Sequence, residues 1–328
     1  MTDQFASMYS SFDSKDTRTI LVCGSIAYDN IMVFRDHFKN HILPDKVDVL
    51  NVSFQISEMR REFGGCAGNI AYGLVLLGDV PLPVATVGND FSSYADWMDN
   101  HGIIRHYLRG IDNTLTAQAF IITDLDNNQI TTFYPGAMAF SHENPISMKL
   151  EDAVLGIVSP DSLEGMKQHA TSLSERGIPF LFDPGQAMTM FYKDDLNNFL
   201  EKASWVAVND YEWEMLQKRT GFSVRKVLEW VQALIVTHGA KGSVIYVQKN
   251  SIEIPALPIR QTVDPTGCGD AYRAGLLHGL LNNMDWETSG RIATLMGAIN
   301  AQYVGTQNYY FSSDEIRDRF KAAFGYYY

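Results

Sequence analysis

Short apolar segments alternate with helix-like segments along most of this 328-residue chain, and this alternation limits the fold more than any other feature. Each apolar segment ends in glycine, proline or polar residues, as buried strands do. The segments between them place apolar residues at helical spacing, and several end at a glycine that suits the position after a helix. The apolar segments are RTILVCGS, LPVATVGND, AVLGIVSP, IPFLFDPG, WVAVND and LIVTHGA. The pattern predicts an α/β fold, a doubly wound, mostly parallel sheet with helices on both faces.

Several predicted strands are followed at once by a side chain that can hydrogen-bond a ligand. In open α/β sheets, ligands bind outside the carboxyl ends of the strands. These side chains therefore indicate where on the sheet a binding site is expected: Asp29, Asp90, Asp183, Asn209 and His238.

Two segments break the alternation. Residues 116–138 contain two β-rich runs joined by DLDNN, which is typical of a hairpin. Residues 31–62 also lack a clear succession of strands and helices. We expect one domain over residues 1–328, with a small β-sheet lid formed by about 30–62 and 112–140. The exposed edges of such a lid would suit either a monomer or a homodimer that pairs through it.

Composition excludes several classes of protein. Lys and Arg number 26 against 38 Asp and Glu, a net charge of −12, so a duplex nucleic acid is not an expected partner. Three widely spaced cysteines, Cys23, Cys66 and Cys268, suit neither a disulfide framework nor a zinc site. A polar N-terminus and the lack of a long apolar run predict no membrane association. We therefore expect a cytoplasmic protein.

The segment DPTGCGDAY places two glycines and an acid where a helix begins. Backbone N–H groups there have no partner within the helix, so Gly267, Cys268 and Gly269 could bind an anion. Asp270 beside that anion suits a base that takes a proton from an attacking hydroxyl. The structural alternative is that Asp264 or Asp270 only caps the helix. A P-loop and a dinucleotide fingerprint are excluded, since neither glycine spacing is present.

A second glycine cluster, FGGCAGN, precedes another apolar helix. Gly64, Gly65 and Gly68 allow a ligand close to the backbone, and Asn69 offers a donor and an acceptor to hydroxyl groups. A tight strand-to-helix turn with an asparagine cap is the simpler interpretation of this cluster taken alone.

The two clusters together resemble the paired signatures of the ribokinase-like (PfkB) carbohydrate and nucleoside kinases. The first resembles the N-terminal signature, and the second resembles the C-terminal signature D-[TS]-x-G-A-G-D-x-F. The second departs from it at Pro265, Cys268 and Tyr272, where the family has Thr or Ser, Ala and Phe. The resemblance covers residues 19–325 and is nearest to the adenosine and nucleoside kinases.

The resemblance implies roles on the side of the phosphoryl acceptor. Asp29, Gly65 and Asn69 would hold sugar hydroxyls, and Asp270 would be the base. In the lid, Gln118 would hydrogen-bond a purine edge and Phe133 would help to form a flat apolar slot. The alternative for Phe133 is a place in the core of the lid hairpin.

The resemblance also implies roles on the nucleotide side. Asn209 and Glu212 match an N-x-x-E motif that would hold Mg²⁺ through water, the alternative being an ordinary helix cap. Thr237 and Gly239 would face the phosphates and ribose. The remaining ATP-binding candidates are Asp264, Gly267 and Asn300, with residues 255–262, Gly297 and Ala298 around adenine. Asp183 stays outside the catalytic set.

The resulting prediction is an ATP-dependent kinase that phosphorylates the 5′-hydroxyl of a nucleoside, adenosine before others, with Mg²⁺. A requirement for a monovalent cation stays open. The first alternative is a sugar kinase of the same family, acting on ribose or fructose. A non-catalytic nucleoside- or ATP-binding protein and an NAD-dependent oxidoreductase are the remaining alternatives, and both are less favoured.

Overall fold

The computed structural model describes residues 18–42, 51–126, 128–146 and 153–328. The predicted lid segment 30–62 includes residues 43–50, which lie outside the described part. Within the described ranges, none of the helices is both long and apolar enough to cross a membrane.

Strands and helices alternate along the chain as the apolar pattern predicts. In chain order the strands are β1 (Thr19–Cys23), β2 (Ala27–Val33), β3 (Glu58–Gly64), β4 (Val80–Val87), β5 (Leu108–Gly110), β6 (Ala117–Thr123), β7 (Gln129–Tyr134), β8 (Ala153–Val158), β9 (Phe180–Phe182), β10 (Trp205–Asn209), β11 (Ala233–Thr237), β12 (Ser243–Val247) and β13 (Asn250–Ile254). The α-helices are α1 (Cys66–Leu76), α2 (Ser92–Asn100), α3 (Leu163–Glu175), α4 (Lys193–Lys202), α5 (Asp210–Thr220), α6 (Val224–Val227), α7 (Cys268–Leu281), α8 (Trp286–Asn300) and α9 (Ser313–Phe324). Short 3-10 helices span Phe38–Asn40, Gly136–Glu143, Gly185–Met190 and Gly239–Lys241.

The large sheet has nine strands in the order β13-β12-β11-β10-β9-β8-β1-β4-β5. All neighbours are parallel except β11–β12 and β12–β13, which are antiparallel. Strand β1 lies inside the sheet, between β8 and β4. The predicted fold class is confirmed, because the sheet is mostly parallel and a second, smaller sheet is separate from it.

Helices cover both faces of the large sheet, and the alternation of side chains along β1 shows why. Ile20 and Val22 pack with α1, α2, α7, α8 and α9 in one buried cluster. Leu21 and Cys23 point the other way and pack with α3, α4 and α5 in a second cluster. Successive side chains of a strand alternate between faces, so a strand that is apolar throughout must be buried on both.

The small sheet has the order β3-β2-β6-β7. Strands β6 and β7 form the antiparallel hairpin that the sequence predicts, and β2 pairs with β6 in parallel and with β3 antiparallel. Strand β3 ends at Gly64, directly before α1, so the small sheet leads into the first glycine cluster. Residues of the predicted acceptor site therefore lie where the two sheets join.

Candidate active site

Helix α7 begins at the second glycine cluster, and its first turn is open for a ligand. Gly267 precedes the helix with φ at +77°, a left-handed conformation that favours glycine. A Cβ at this position would also lie 2.8 Å from Cγ2 of Thr306. Among the described residues, no group accepts a hydrogen bond from the N–H of Gly269 or Asp270. The Cys268 N–H donates to the Pro265 carbonyl at 3.2 Å, so the free donors are those of Gly269 and Asp270.

Asp270 lies in that first turn and contacts the other glycine cluster. The Nδ2 of Asn69 donates to Oδ2 of Asp270 at 2.8 Å, and the Cys66 thiol also bonds the carboxylate. Burial raises the pKa of Asp270 from 3.8 to about 7. The bond from Asn69 lowers the pKa and the charge of Asp183 raises it. A carboxyl group with a pKa near neutrality is suited to general base catalysis.

Asn69 is held by residues that the sequence did not reveal. Its Oδ1 accepts from Nε2 of Gln307 at 2.9 Å, and Gln307 is in turn bonded to Tyr94 and Trp97. Asn69 is 5% exposed. This chain of bonds fixes the amide so that its nitrogen faces Asp270.

Gly65 makes the turn from β3 into α1 with φ at +86°. A Cβ there would lie 2.6 Å from both the Ala27 nitrogen and the Ser25 oxygen. The glycine is therefore required where the chain crosses the link between β1 and β2. This close packing explains why the first glycine cluster forms a tight strand-to-helix turn, which was the simpler interpretation of its sequence.

Asp29 lies on one face of the small sheet, and Phe133 shares that face. Asp29 pairs with Glu62 and with Ala119, and Ala119 pairs with Phe133, whose side chain is 45% exposed. Burial raises the pKa of Asp29 to about 6, with the carboxylates of Glu62 and Asp264 adding to the effect. Ala119 lies between them, so an acid and an exposed apolar ring share one face of the sheet, where a ligand with hydroxyl groups and a flat apolar part could contact both.

Gln118 lies on the opposite face of the small sheet from Asp29, because it neighbours Ala119 in the same strand. It is 8% exposed, and its amide bonds Asn30 and Asp90. The structure therefore does not bring Gln118 together with Asp29 and Phe133.

A cavity of about 600 Å³ opens beside the mouth of α7. Two of the six ATP-binding candidates line it, Thr237 and Gly239, together with residues predicted to lie around the adenine and the anion: Ala256, Leu257, Pro258, Ile259, Thr262, Cys268, Gly269, Gly297 and Ala298. Asn300 does not line the cavity. It is fully buried, and its Nδ2 donates to the Thr266 carbonyl at 2.8 Å and to the Cys268 sulfur at 3.4 Å. Asn300 thus stabilises the turn of residues 266–268 through these two hydrogen bonds.

Asp264 and the N-x-x-E residues have local partners. Asp264 accepts from the N–H groups of Thr266 and Gly305, at 3.0 Å each, so it shapes the turn before α7. Asn209 and Glu212 form a capping box at the start of α5, in which both Glu212 oxygens accept from Asn209 at 2.8 Å. Asn209 lies beside Thr237 in the register of β10 and β11. The contacts of Asn209 and Glu212 are therefore those of an ordinary helix cap, which was the alternative to a role in binding Mg²⁺.

Arg273 is a site residue that sequence reasoning missed. Its Nε and Nη2 donate to the two oxygens of Asp183, each at 3.1 Å, and Glu212 lies 4.0 Å from Nη2. The Arg273 and Asp183 side chains are each 5% exposed. Arg273 follows Asp270 by three positions, so helical spacing places both on one side of α7.

An anion site at a helix N-terminus, a neighbouring acid of raised pKa and an apolar cavity define a phosphoryl-transfer enzyme in an α/β fold. The pfkB family carbohydrate kinase model matches residues 25–312, and the chain belongs to that family. It is an ATP-dependent phosphotransferase that acts on a hydroxyl group.

Relatives of known structure or activity extend along most of the chain. It is 36% identical to a nucleoside kinase of Methanocaldococcus jannaschii over 77% of this chain and 82% of the relative. It is 30% identical to a nucleoside kinase of Methanothermobacter thermautotrophicus over 95% and 98%. The structure of Burkholderia thailandensis nucleoside kinase in complex with inosine superposes with a TM-score of 0.86 at 47% identity, covering 94% of this chain and 99% of that one.

Proposed function

We propose that this protein transfers the γ-phosphoryl group of ATP to the 5′-hydroxyl of a nucleoside, with adenosine as the first candidate. The observation that carries the proposal is the 2.8 Å bond between Asn69 and Asp270, which joins the two glycine-led turns. A hydroxyl group held near Asn69 is thereby within reach of a carboxyl group whose pKa is about 7. The similarity to nucleoside kinases supports a nucleoside as the molecule that bears this hydroxyl.

On the acceptor side, Asp29 accepts from the sugar hydroxyls, and the backbone at Gly65 allows the sugar to approach. Asn69 orients the 5′-hydroxyl toward Asp270, which takes its proton as the new O–P bond forms. The N–H groups of Gly269 and Asp270, in the turn begun by Gly267 and Cys268, stabilise negative charge on the transferred group. Closing the small sheet over the acceptor as a lid excludes water, which competes for the phosphoryl group.

We propose that Mg²⁺ binds together with the nucleotide, near Asn209 and Glu212. Each Glu212 oxygen accepts one hydrogen bond from Asn209 and keeps a second lone pair, so the pair can still hold the waters of a bound ion. When bound, Mg²⁺ would neutralise charge on the phosphate oxygens. The buried carboxylate of Asp183 lies next to the same place, since Arg273 contacts both acids.

The nucleobase of the acceptor is proposed to lie against the face of the small sheet that carries Asp29 and Phe133. Adenosine and inosine differ at one position of the purine, and the Burkholderia thailandensis kinase has been crystallised with inosine and with ADP-inosine. Both purine nucleosides therefore belong in the first test. The three cysteines are free, which supports a reducing, cytoplasmic setting as part of the proposal.

A panel of acceptors with ATP and Mg²⁺, read as ADP release, tests the proposal. We expect adenosine, inosine, guanosine or cytidine to give a higher kcat/KM than ribose and fructose, and chelation of Mg²⁺ to stop turnover. Preference for a free sugar over every nucleoside would favour the sugar-kinase alternative. ADP release from none of them would favour a binding protein.

A further inference from the structure

Arg273 is the only charged side chain among the described residues that line the cavity at the mouth of α7. The cavity is otherwise formed by glycines, apolar residues, threonines, a cysteine and a tyrosine. A nucleotide placed there brings several negative charges. The one guanidinium on the wall is therefore the natural side-chain partner for them.

The hydrogen bonds of Arg273 leave one nitrogen free. Nε and Nη2 are taken up by Asp183, and Nη2 also lies 3.5 Å from the Ala207 carbonyl. Nη1 has no hydrogen-bond partner in the described part of the chain, although the side chain is 5% exposed. That nitrogen is not fully enclosed, so it can donate to water or to a ligand in the cavity.

The free nitrogen points to the anion site. A Cβ built on Gly269 would lie 3.7 Å from Nη1 of Arg273, the nearest atom outside the adjoining residues and the backbone of the helix. Gly269 supplies one of the two free N–H groups of the first turn. Nη1 therefore lies close to the residue that supplies one of the two free backbone donors.

We propose that Arg273 is a catalytic residue whose Nη1 donates a hydrogen bond to an oxygen of the phosphoryl group in transfer. The inference rests on the proposed function for the acceptor, but it concerns the nucleotide side of the site. The two bonds to Asp183 hold the guanidinium in place before the nucleotide binds, so no side-chain entropy is lost during the reaction. The bond Arg273 makes strengthens as charge spreads over the phosphoryl oxygens.

The rival explanation is that Arg273 only neutralises Asp183 and Glu212. Removing one partner of a buried ion pair leaves an uncompensated charge, so Arg273→Met alone would not separate the two explanations. Removing both acids as well as the guanidinium does separate them. The double variant Asp183→Asn with Glu212→Gln is the reference, and the triple variant that adds Arg273→Met is the test, each compared for its unfolding midpoint.

We expect the triple variant to lose about 10²-fold in kcat relative to the double variant, with the KM for the acceptor within about threefold. Equal kcat in the two variants would overturn the proposal, because then only the pairing mattered. The acceptor is whichever one gives turnover with the wild-type protein. If that acceptor is a sugar, the nucleoside assignment fails while the inference on Arg273 is still tested.

A second measurement needs no variant. We expect the wild-type protein bound to ADP, aluminium fluoride and acceptor to show Nη1 within about 3.2 Å of a fluoride or phosphate oxygen. A separation above about 4.5 Å in that complex would refute the contact, whatever the variants show.

Discussion

Substitution of Asp270 by Asn separates two consequences of one buried carboxyl group, its role as base and its cost to the fold. Asn keeps the shape and can still accept from Asn69, but it takes no proton. We expect kcat to fall by about 10²–10⁴-fold while nucleoside binding changes little. In the wild-type protein kcat/KM should fall below a pH of about 7, where Asp270 becomes protonated in the free enzyme.

The effect on stability has the opposite sign. Asp270 loses its proton near pH 3.8 when unfolded and near pH 7 when folded, so the folded state binds more protons between these values. The free energy of unfolding therefore decreases as pH rises through that window. The full change corresponds to about 4 kcal/mol, at about 1.4 kcal/mol for each pKa unit. Because Asp270 keeps some exposure to solvent, screening reduces this to about 1–3 kcal/mol.

Urea unfolding of both proteins at pH 5, 6, 7 and 8 gives the required comparison. Asp270→Asn should be the more stable protein at pH 8, by an amount that shrinks as the pH is lowered toward 4. Asp112→Asn, which changes an exposed carboxylate in a turn, is the control and should alter neither kcat nor stability. Near wild-type turnover in Asp270→Asn would remove Asp270 from the role of base. A stability difference that does not depend on pH would refute the effect of burial.

Two further predictions concern the helix that carries Asp270. Gly275→Val should destabilise the protein by about 1–3 kcal/mol or more in urea unfolding, because a Cβ there would lie 2.6 Å from Cα of Ala293 on α8. Gly110→Ala, with nothing within 4 Å of its Cβ, is the control, and equal losses would contradict the packing argument. N-ethylmaleimide should inactivate the protein slowly, because burial raises the pKa of the Cys268 thiol. ATP should protect against this inactivation, because Cys268 lines the cavity proposed to bind the nucleotide. Cys268→Ala should resist, whereas inactivation at the wild-type rate would place the reactive thiol elsewhere.

The sequence predicted what depends on neighbours along the chain. The parallel strands, the hairpin of β6 and β7 and the glycine before α7 each follow from a local pattern of apolar residues or turns. The antiparallel pair β12 and β13 was missed, since its residues alternate weakly and lie at the edge of the large sheet.

The contacts that define the candidate site depend on the fold and were not visible beforehand. Asn69 and Asp270 are 201 positions apart, and Asp183 and Arg273 are 90 apart. The family resemblance assigned Asn69 and Asp270 to one site, but no local pattern joins the members of either pair. Helical spacing alone could have placed Arg273 on the same side of its helix as Asp270.

The local balance of charge matters more for the proposed reaction than the net charge of −12. Charges on the far surface are screened over roughly 8–10 Å at ordinary ionic strength. At the site itself, the carboxyl groups of Asp183, Glu212 and Asp270 surround one guanidinium. A phosphate approaching this group meets free N–H donors and Arg273, but it also raises the pKa of Asp270 further unless cations accompany it. The cations that bind with the nucleotide, together with Arg273, would then keep Asp270 ionised and able to accept the proton.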